Sequence, residues 1–129
     1  MNDERHEAGM AVRREVLGGE HVDGAEATKN AFTEDFQDLI TRYAWGEIWT
    51  RPGLDRRTRS AITLTALIAV GRMDELAMHV RAARRNGLSE DEIKEVLLQT
   101  AVYCGVPAAN TAFAVAARVL EEEEEEKKS

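Results

Sequence analysis

Most of the side chains that could do chemistry lie in one stretch of this sequence, residues 45–79. Four arginines fall within nine residues of it, namely Arg51, Arg56, Arg57 and Arg59. A nearly unbroken apolar run, 61–70, follows them, and a single histidine, His79, lies beyond that run. Cationic groups beside an apolar wall, with a carboxylate and an imidazole nearby, favour a pocket for a small anionic organic molecule.

Two tryptophans precede the arginines and bracket Glu47. Trp45 and Trp49 are one helical turn apart, which favours anchoring in a core or an interface over stacking on a ligand. Glu47 continues a helical apolar stripe, on which a buried carboxylate needs a partner, and the nearby arginines are candidates. The alternative is that the helix ends at Gly46 and Glu47 points to water. The stripe consists of Phe36, Leu39, Ile40 and Tyr43.

His79 and Cys104 are each open to a structural or a chemical interpretation. His79 flanks the inner stripe of a helix predicted over 75–86, where it is either a hydrogen-bonded structural residue or a proton donor. Cys104 lies on the apolar face of the next helix, which favours a small core residue over a reactive thiol. A single cysteine supports neither an internal disulfide nor a Cys-based zinc site. We therefore expect no metal site.

Composition and charge exclude several classes of protein. The 129 residues are 43% hydrophobic and 32% charged, which is typical of one globular domain, 1–120, with a charged tail, 121–129. No apolar run reaches the roughly 18 residues of a membrane span, and the N-terminus has no signal-peptide core, so we expect a cytoplasmic protein. The formal charge is −7, of which the tail contributes −4. This balance argues against a nucleic-acid partner.

The elements that position these residues are all predicted to be helices, six or seven in number, because no alternating strand pattern occurs. Helices are predicted over 3–17, after a Thr33 cap, and over 56–70, the last apolar nearly all round and therefore central. Residues 20–31 are either a loop or a short helix. Other signals are an Asp74 cap, a Ser89–Glu92 capping box, helix ends at Gly71, Gly87 and Gly105, Pro107 at the start of the last helix, and a fraying glutamate run.

Three segments together resemble the 4-carboxymuconolactone decarboxylase family of aromatic catabolism, within the alkylhydroperoxidase D-like superfamily. The resemblance covers about residues 9–116. WGEIWTRPG and YCGVPAANTAF indicate the decarboxylase branch. The segments are GMAVRREVLG, ITRYAWGEIWTRPGLDRRTRSAITLTALIAVG and ELAMHVRAARRNGLSEDEIKEVLLQTAVYCGVPAANTAF.

The resemblance implies cofactor-independent loss of CO2 from a small dicarboxylate lactone, by a homohexamer with no membrane partner. The redox branch of the superfamily carries two thiols before its histidine, and aligned on His79 those positions are Arg72 and Glu75. Thiol-dependent peroxide reduction is therefore not expected. From the chemistry we predict that Arg51 and Arg59 bind the substrate, with Trp45 and Trp49 beside it, that His79 delivers a proton, and that Glu47 orients one of these groups. A catalytically silent assembly module and a related small-acid decarboxylase are the alternatives.

Overall fold

The structure is a computed structural model that describes residues 3–128. Every regular element among these residues is helical, which confirms the all-α prediction. Two compact units divide the chain between Arg56 and Arg57, here called unit 1 and unit 2. In chain order the elements are α1 (Asp3–Leu17), α2 (Gly19–Thr28), α3 (Glu34–Ile40), a π-helical segment (Thr41–Ile48), α4 (Arg56–Ala69), α5 (Met73–Arg85), α6 (Glu90–Cys104) and α7 (Val106–Lys128). None of the described helices is both long and apolar enough to cross a bilayer.

Unit 1 depends on a close approach between α1 and the π-helical segment. A Cβ on Gly9 would lie 2.1 Å from the carbonyl oxygen of Thr41, and a Cβ on Gly46 would lie 2.6 Å from the carbonyl oxygen of Arg5. Real Cβ atoms essentially never come that close. Only glycine at both positions lets the two backbones touch.

The helix does not end at Gly46, so the first half of that alternative is wrong, whereas the second half holds because the Glu47 side chain is 47% exposed. The chain continues as a π-helix through Ile48, and the amide of Trp49 donates to the carbonyl of Ala44, five residues earlier, at 2.9 Å. Wider turns of this kind occur often at functional sites. Here the π-helical turn places Glu47 and both tryptophans.

One expectation about α3 is confirmed in position only, and another is wrong. Thr33 occupies the N-cap position of α3 as predicted, but its side chain makes no cap hydrogen bond; its hydroxyl instead accepts a hydrogen bond from the amide of Asn30. The apolar stripe is also exposed rather than buried: Phe36 is 59% exposed and Tyr43 58%. The amphipathic pattern was identified correctly, but the chain covers no residue of α3 completely. Residues 20–31, left open above, contain the helix α2.

The core of unit 2 lies among α4, α5, α6 and α7. The predicted inner stripe of α5 is confirmed, since Leu76, Val80 and Ala83 are all fully buried. The same cluster contains Leu64, Ile68, Leu88, Ile93, Leu97, Ala112, Val115, Ala116 and Val119. Alanines on α7 leave room for neighbouring backbones, and the larger side chains of α4 and α6 fill the space between them.

The prediction that α4 is buried nearly all round is wrong. Its buried residues are Ser60, Leu64 and Ile68, one per turn, whereas Ile62 is 54% exposed and Val70 70%. The chain covers one stripe of α4 and leaves the other faces partly in solvent. An apolar sequence therefore does not by itself make a helix central.

The turn between α4 and α5 differs from its predicted form, and the turn between α5 and α6 matches it. Gly71, at φ +76°, ends α4 as expected, but α5 begins at Met73 with Arg72 in the cap position, so Asp74 is not the cap. The Ser89–Glu92 capping box is confirmed in both of its hydrogen bonds. These turns set where α5, and with it His79, begins and ends.

The glutamate run does not fray, contrary to prediction. Helix α7 begins at Val106, so Pro107 is its second residue rather than its first, and it continues through Lys128. Arg81 on α5 pairs with Glu122 at 2.9 Å and with Glu126 at 3.2 Å. These exposed ion pairs offset part of the repulsion among the glutamates.

Candidate functional site

Glu47 is positioned by α1, not by the arginine cluster that the sequence offered as its partner. An oxygen of Glu47 lies 3.6 Å from a guanidinium nitrogen of Arg5, and the two side chains are 47% and 51% exposed. Glu47 thus reaches solvent and has a cationic partner at the same time. The sequence does not reveal Arg5 because 42 residues separate it from Glu47.

Trp45 and Trp49 contact each other as the helical spacing predicts. Their ring centroids are 5.2 Å apart with 30° between the ring planes. Trp45 is 6% exposed, while Trp49 is partly exposed. Burial of Trp45 agrees with the anchoring interpretation. A substrate contact by the more exposed ring of Trp49 stays a prediction.

The structure separates two of the four arginines by their partners. Arg56 pairs with Glu15 at 2.8 Å, inside unit 1. Inside unit 2, Arg57 donates to the carbonyl oxygen of Gly87 and to the carboxylate of Glu92, the same carboxylate that completes the capping box. Arg57 therefore clasps the turn between α5 and α6. Arg56 and Arg57 therefore make structural contacts, and neither was among the predicted substrate ligands.

Arg51 and Arg59, the two arginines predicted to bind substrate, differ in their surroundings. Arg51 is exposed, on the loop after the π-helical segment. Arg59 lies in the first turn of α4 and is half-buried, and water cannot reach its Nε atom. Exclusion of water strengthens a guanidinium–carboxylate interaction, so the Arg59 guanidinium suits a substrate carboxylate better than an exposed one would.

His79 lies at the edge of the α5 stripe, half-buried, beside the fully buried Leu76, Val80 and Ala83. Its Nδ1 atom is inaccessible to water. The structure places Arg59 and His79 in unit 2, and Glu47, Arg51 and the tryptophans in unit 1. Burial of one nitrogen restricts the rotamers of the imidazole, which suits proton delivery from the other nitrogen.

An ion pair occupies the two positions that align with the thiols of the redox branch. The Arg72 Nε atom donates to a carboxylate oxygen of Glu75 at 3.0 Å. This bond, more than any other interaction, holds the pKa of the Glu75 carboxyl below its ordinary value, and the His79 imidazole adds to the effect. The sequence analysis assigned no role to Glu75, although its spacing of four residues from His79 was readable.

Cys104 is the last residue of α6 and is partly exposed, so it is not the core residue that was predicted. Helix α6 ends there because Gly105 follows at φ +97°. Among residues 3–128, no three His, Cys, Asp or Glu side chains are grouped closely enough to hold a metal ion.

Three cavities of unit 2 were compared with the candidate residues. A groove of about 590 Å³ runs between α4 and α6 and is almost wholly apolar, and no candidate residue lines it. A second cavity, of about 440 Å³, lies at the α5–α6 turn beside Arg84 and Lys127. A third, of about 340 Å³, is lined by residues 71–75 and includes Arg72 and Glu75. None of the predicted site residues lines either of these two cavities.

Comparison with known proteins decides the family. The model of the carboxymuconolactone decarboxylase family matches residues 34–118. The chain belongs to this family. A 4-carboxymuconolactone decarboxylase of Acinetobacter baylyi is 50% identical over 123 residues, which are 95% of this chain and 92% of that protein. A nitrosuccinic acid decarboxylase of Metarhizium robertsii is 44% identical over 123 residues, 92% of this chain and 86% of that protein. A 4-carboxymuconolactone decarboxylase of Pseudomonas putida is 50% identical over 44 residues, 34% of this chain and 92% of that protein.

Membership of the carboxymuconolactone decarboxylase family confirms the resemblance described above. The matched residues contain every predicted site residue, from Trp45 to Cys104. Helices α1 and α2 lie before the matched segment, so the Arg5 contact to Glu47 comes from outside it.

Proposed function

We propose that this protein is a carboxy-lyase that converts 4-carboxymuconolactone to the β-ketoadipate enol-lactone in protocatechuate catabolism, without a cofactor. The observation that carries this proposal is the 50% identity, over 95% of the chain, to the Acinetobacter baylyi decarboxylase. Arginine, histidine and carboxylate side chains within the family segment support it, because they are the groups that such a reaction uses.

The reaction needs four things from the protein. The leaving carboxylate is on the ring carbon γ to the lactone carbonyl, across a double bond. As its C–C bond breaks, the electron pair moves through the alkene to the carbonyl oxygen, and CO2 departs. The resulting dienolate then takes a proton on carbon. The protein must therefore hold the other carboxylate, desolvate the leaving one, stabilise the growing oxyanion, and deliver the proton.

Five side chains are assigned to these steps. Arg59 binds a substrate carboxylate through its planar guanidinium, and Arg51 binds the second carboxylate or the oxyanion. A positioned oxyanion donor contributes about 2.7–4 kcal/mol of barrier lowering. His79 delivers the proton, because the ordinary pKa of an imidazole is near working pH. Glu47 orients one of these groups, and the ring of Trp49 adds an apolar wall.

The test is CO2 release from freshly prepared 4-carboxymuconolactone by the purified protein. Release above the spontaneous rate, lost in a His79→Gln protein of unchanged melting temperature, is the expected result. If the folded wild type releases no CO2 from this lactone or from any other small dicarboxylate offered, the catalytically silent module is the correct interpretation.

A second substrate is favoured by one observation, the 44% identity to the nitrosuccinic acid decarboxylase. A nitro group accepts the electron pair of a departing carboxylate on its oxygens, as the lactone carbonyl does. Both reactions therefore require carboxylate binding and oxyanion stabilisation, which the same side chains would provide. Comparing kcat/KM for nitrosuccinic acid and for 4-carboxymuconolactone on one preparation decides between them, and a higher value for the former would replace the proposed substrate.

We further propose that the protein acts in the cytoplasm as a homo-oligomer, a hexamer arranged as a trimer of dimers or a dimer of trimers. Exposed apolar side chains support self-association. On unit 1, Phe32 is 94% exposed, and Phe36 and Tyr43 follow it at helical spacing, each more than half exposed. Contiguous apolar surface of this kind is unusual for a monomer.

A further inference from the structure

Glu75 is the carboxylate that helical geometry places nearest to His79 on α5. The two residues are four apart, and side chains at that spacing are neighbours on one face of a helix, with about 5–6 Å between their Cβ atoms. Neither residue belongs to the buried stripe, and both are partly exposed. Glu75 therefore lies beside the imidazole at the boundary between the core and solvent.

Arg72 restrains Glu75 from the other side. Its Nε atom donates to a Glu75 oxygen at 3.0 Å, from the position that caps α5. One carboxylate oxygen is thus committed to the guanidinium. Arg72, Glu75 and His79 follow one another at spacings of three and four residues, which lays them along one face of the helix.

The charges of Arg72 and His79 favour an ionised Glu75 carboxylate next to the imidazole. Hydrogen bonding from Arg72 is the largest cause that lowers the pKa of Glu75, and the imidazole of His79 is a further cause. The interaction is mutual, since an anion beside an imidazole stabilises its protonated form. A proton donor benefits from such a neighbour, because more of it carries the proton at working pH.

Three acidic side chains of α7 face α5 and lie beside its arginines. Glu122 and Glu126 pair with Arg81, and Glu123 lies 3.9 Å from Arg84. Arg81 is two residues beyond His79 and so lies on roughly the opposite side of the helix. Among the acids of α5 itself, Glu75 is the one that lies one helical turn from His79.

We propose that Glu75, held by Arg72, is a positioning residue that orients the imidazole of His79 and keeps it protonated for delivery of the proton to the substrate carbon. This rests on the proposed function, in which His79 is the proton donor. Glu75 does not itself touch the substrate.

The experiment compares Glu75→Gln with Asp74→Asn, the neighbouring acid of the same turn. Glu75→Gln keeps the size and polarity of the side chain and removes its charge. In NMR titrations of the imidazole signals, assigned with His79→Gln, the His79 ring should lose its proton at lower pH in Glu75→Gln and at the wild-type pH in Asp74→Asn. At neutral pH, kcat should fall about two- to fivefold in Glu75→Gln, the range of a solvent-exposed ion pair. KM, the melting temperature and the activity of Asp74→Asn should not change.

The pH dependence of kcat distinguishes this role of Glu75 from a purely structural one, which would leave the pH profile unchanged. The kcat of Glu75→Gln should recover towards wild type as the pH falls, because the imidazole is then protonated without its neighbour. Glu75→Asp keeps the negative charge on a side chain one methylene shorter. Its kcat at neutral pH should lie between those of Glu75→Gln and wild type. A His79 titration unchanged in Glu75→Gln, or a shifted titration with unchanged kcat and pH profile, overturns the proposal. The NMR result needs no turnover, so it stands apart from the proposed function, which fails if His79→Gln keeps full activity.

Discussion

The imidazole of His79 and the guanidinium of Arg59 lie at the boundary between solvent and the core of unit 2, and each has one nitrogen that water cannot reach. At that depth an electrostatic contact is stronger than on an open surface. The packing that surrounds the side chain also limits its rotamers. Both features suit groups that must meet a substrate in one orientation.

His79 is expected to be chemical rather than structural. A His79→Gln protein should assemble and melt as wild type, yet lose about 10²–10⁴-fold in kcat, the usual contribution of a positioned general acid. Measuring the melting temperature and the rate on one preparation checks this. A lower melting temperature with near-normal kcat per folded subunit would assign His79 to the core.

Arg59 and Arg57, two residues apart, offer a matched comparison. Arg59→Lys should lose about 10- to 150-fold in kcat/KM, the cost of a charge-assisted hydrogen bond that a point charge cannot replace. Its melting temperature should not change. Arg57→Lys should show the reverse, since Arg57 clasps Gly87 and Glu92. Equal loss of activity in both variants would contradict the division of the arginines.

At the scale of elements, the π-helical segment is the unusual feature of unit 1. It carries Trp45 and Glu47, Trp49 follows it directly, and its Gly46 backbone lies against α1. The same contact places Arg5 near Glu47. Helix α1 therefore determines where a predicted site residue lies, although it precedes the family segment.

Gly46→Ala and Gly9→Ala should destabilise unit 1 by about 1–3 kcal/mol or more, because each new methyl meets a backbone oxygen that cannot move aside. Gly24→Ala is the control: it is helical with nothing within 4 Å, and should gain about 0.5–1 kcal/mol. The two tryptophans of the chain are both in unit 1, so their fluorescence during urea unfolding reports on that unit. Wild-type stability in Gly46→Ala would refute the close approach.

The turn between α5 and α6 should be sensitive to acid. Hydrogen bonding from Arg57 is the largest cause that holds the pKa of Glu92 below its ordinary value of 4.5. A depressed folded pKa contributes stability that is complete above 4.5 and is lost as the pH falls through the lower value. The melting temperature of Glu92→Gln should therefore be lower than that of wild type at neutral pH, and this difference should disappear in acid.

Glu90→Gln, in the first turn of the same helix, is the control for that experiment. Glu90 is exposed, and the capping box does not use its side chain. Its variant should show a smaller difference from wild type. A difference for Glu92→Gln that persists unchanged into acid would show that the charge of Glu92 is not what stabilises the turn.

At the scale of the whole molecule, the exposed apolar stripe of unit 1 is expected to mediate self-association. Light scattering coupled to size exclusion should give a multiple of the chain mass for wild type and a lower mass for Phe36→Glu. Asp35→Lys changes charge at the adjacent polar position and should keep the wild-type mass. A monomeric wild type at micromolar concentration would contradict the proposed oligomer.

The sequence by itself determined the features that depend on neighbours along the chain. The Ser89–Glu92 capping box and the glycine turns at 71, 87 and 105 were predicted and are present. The inner stripe of α5 and the family segment were predicted as well. Hydrogen bonds and side-chain spacing within one or two turns carry these signals, so a single sequence contains them.

Only the tertiary structure decided which residues meet across long separations. Glu47 pairs with Arg5 rather than with an arginine close to it in sequence, and Arg57 clasps a turn 30 to 35 residues away. The π-helical segment at 41–48 likewise meets α1 at Gly9, more than 30 residues away along the chain. Which side chains form ion pairs depends on the path of the backbone. The exposure of the α3 stripe depends on which residues that path brings against it. The local spacing of residues in the sequence predicts neither feature, because several side chains of the same charge are equally good candidates for a partner. Only tertiary packing brings one of them close.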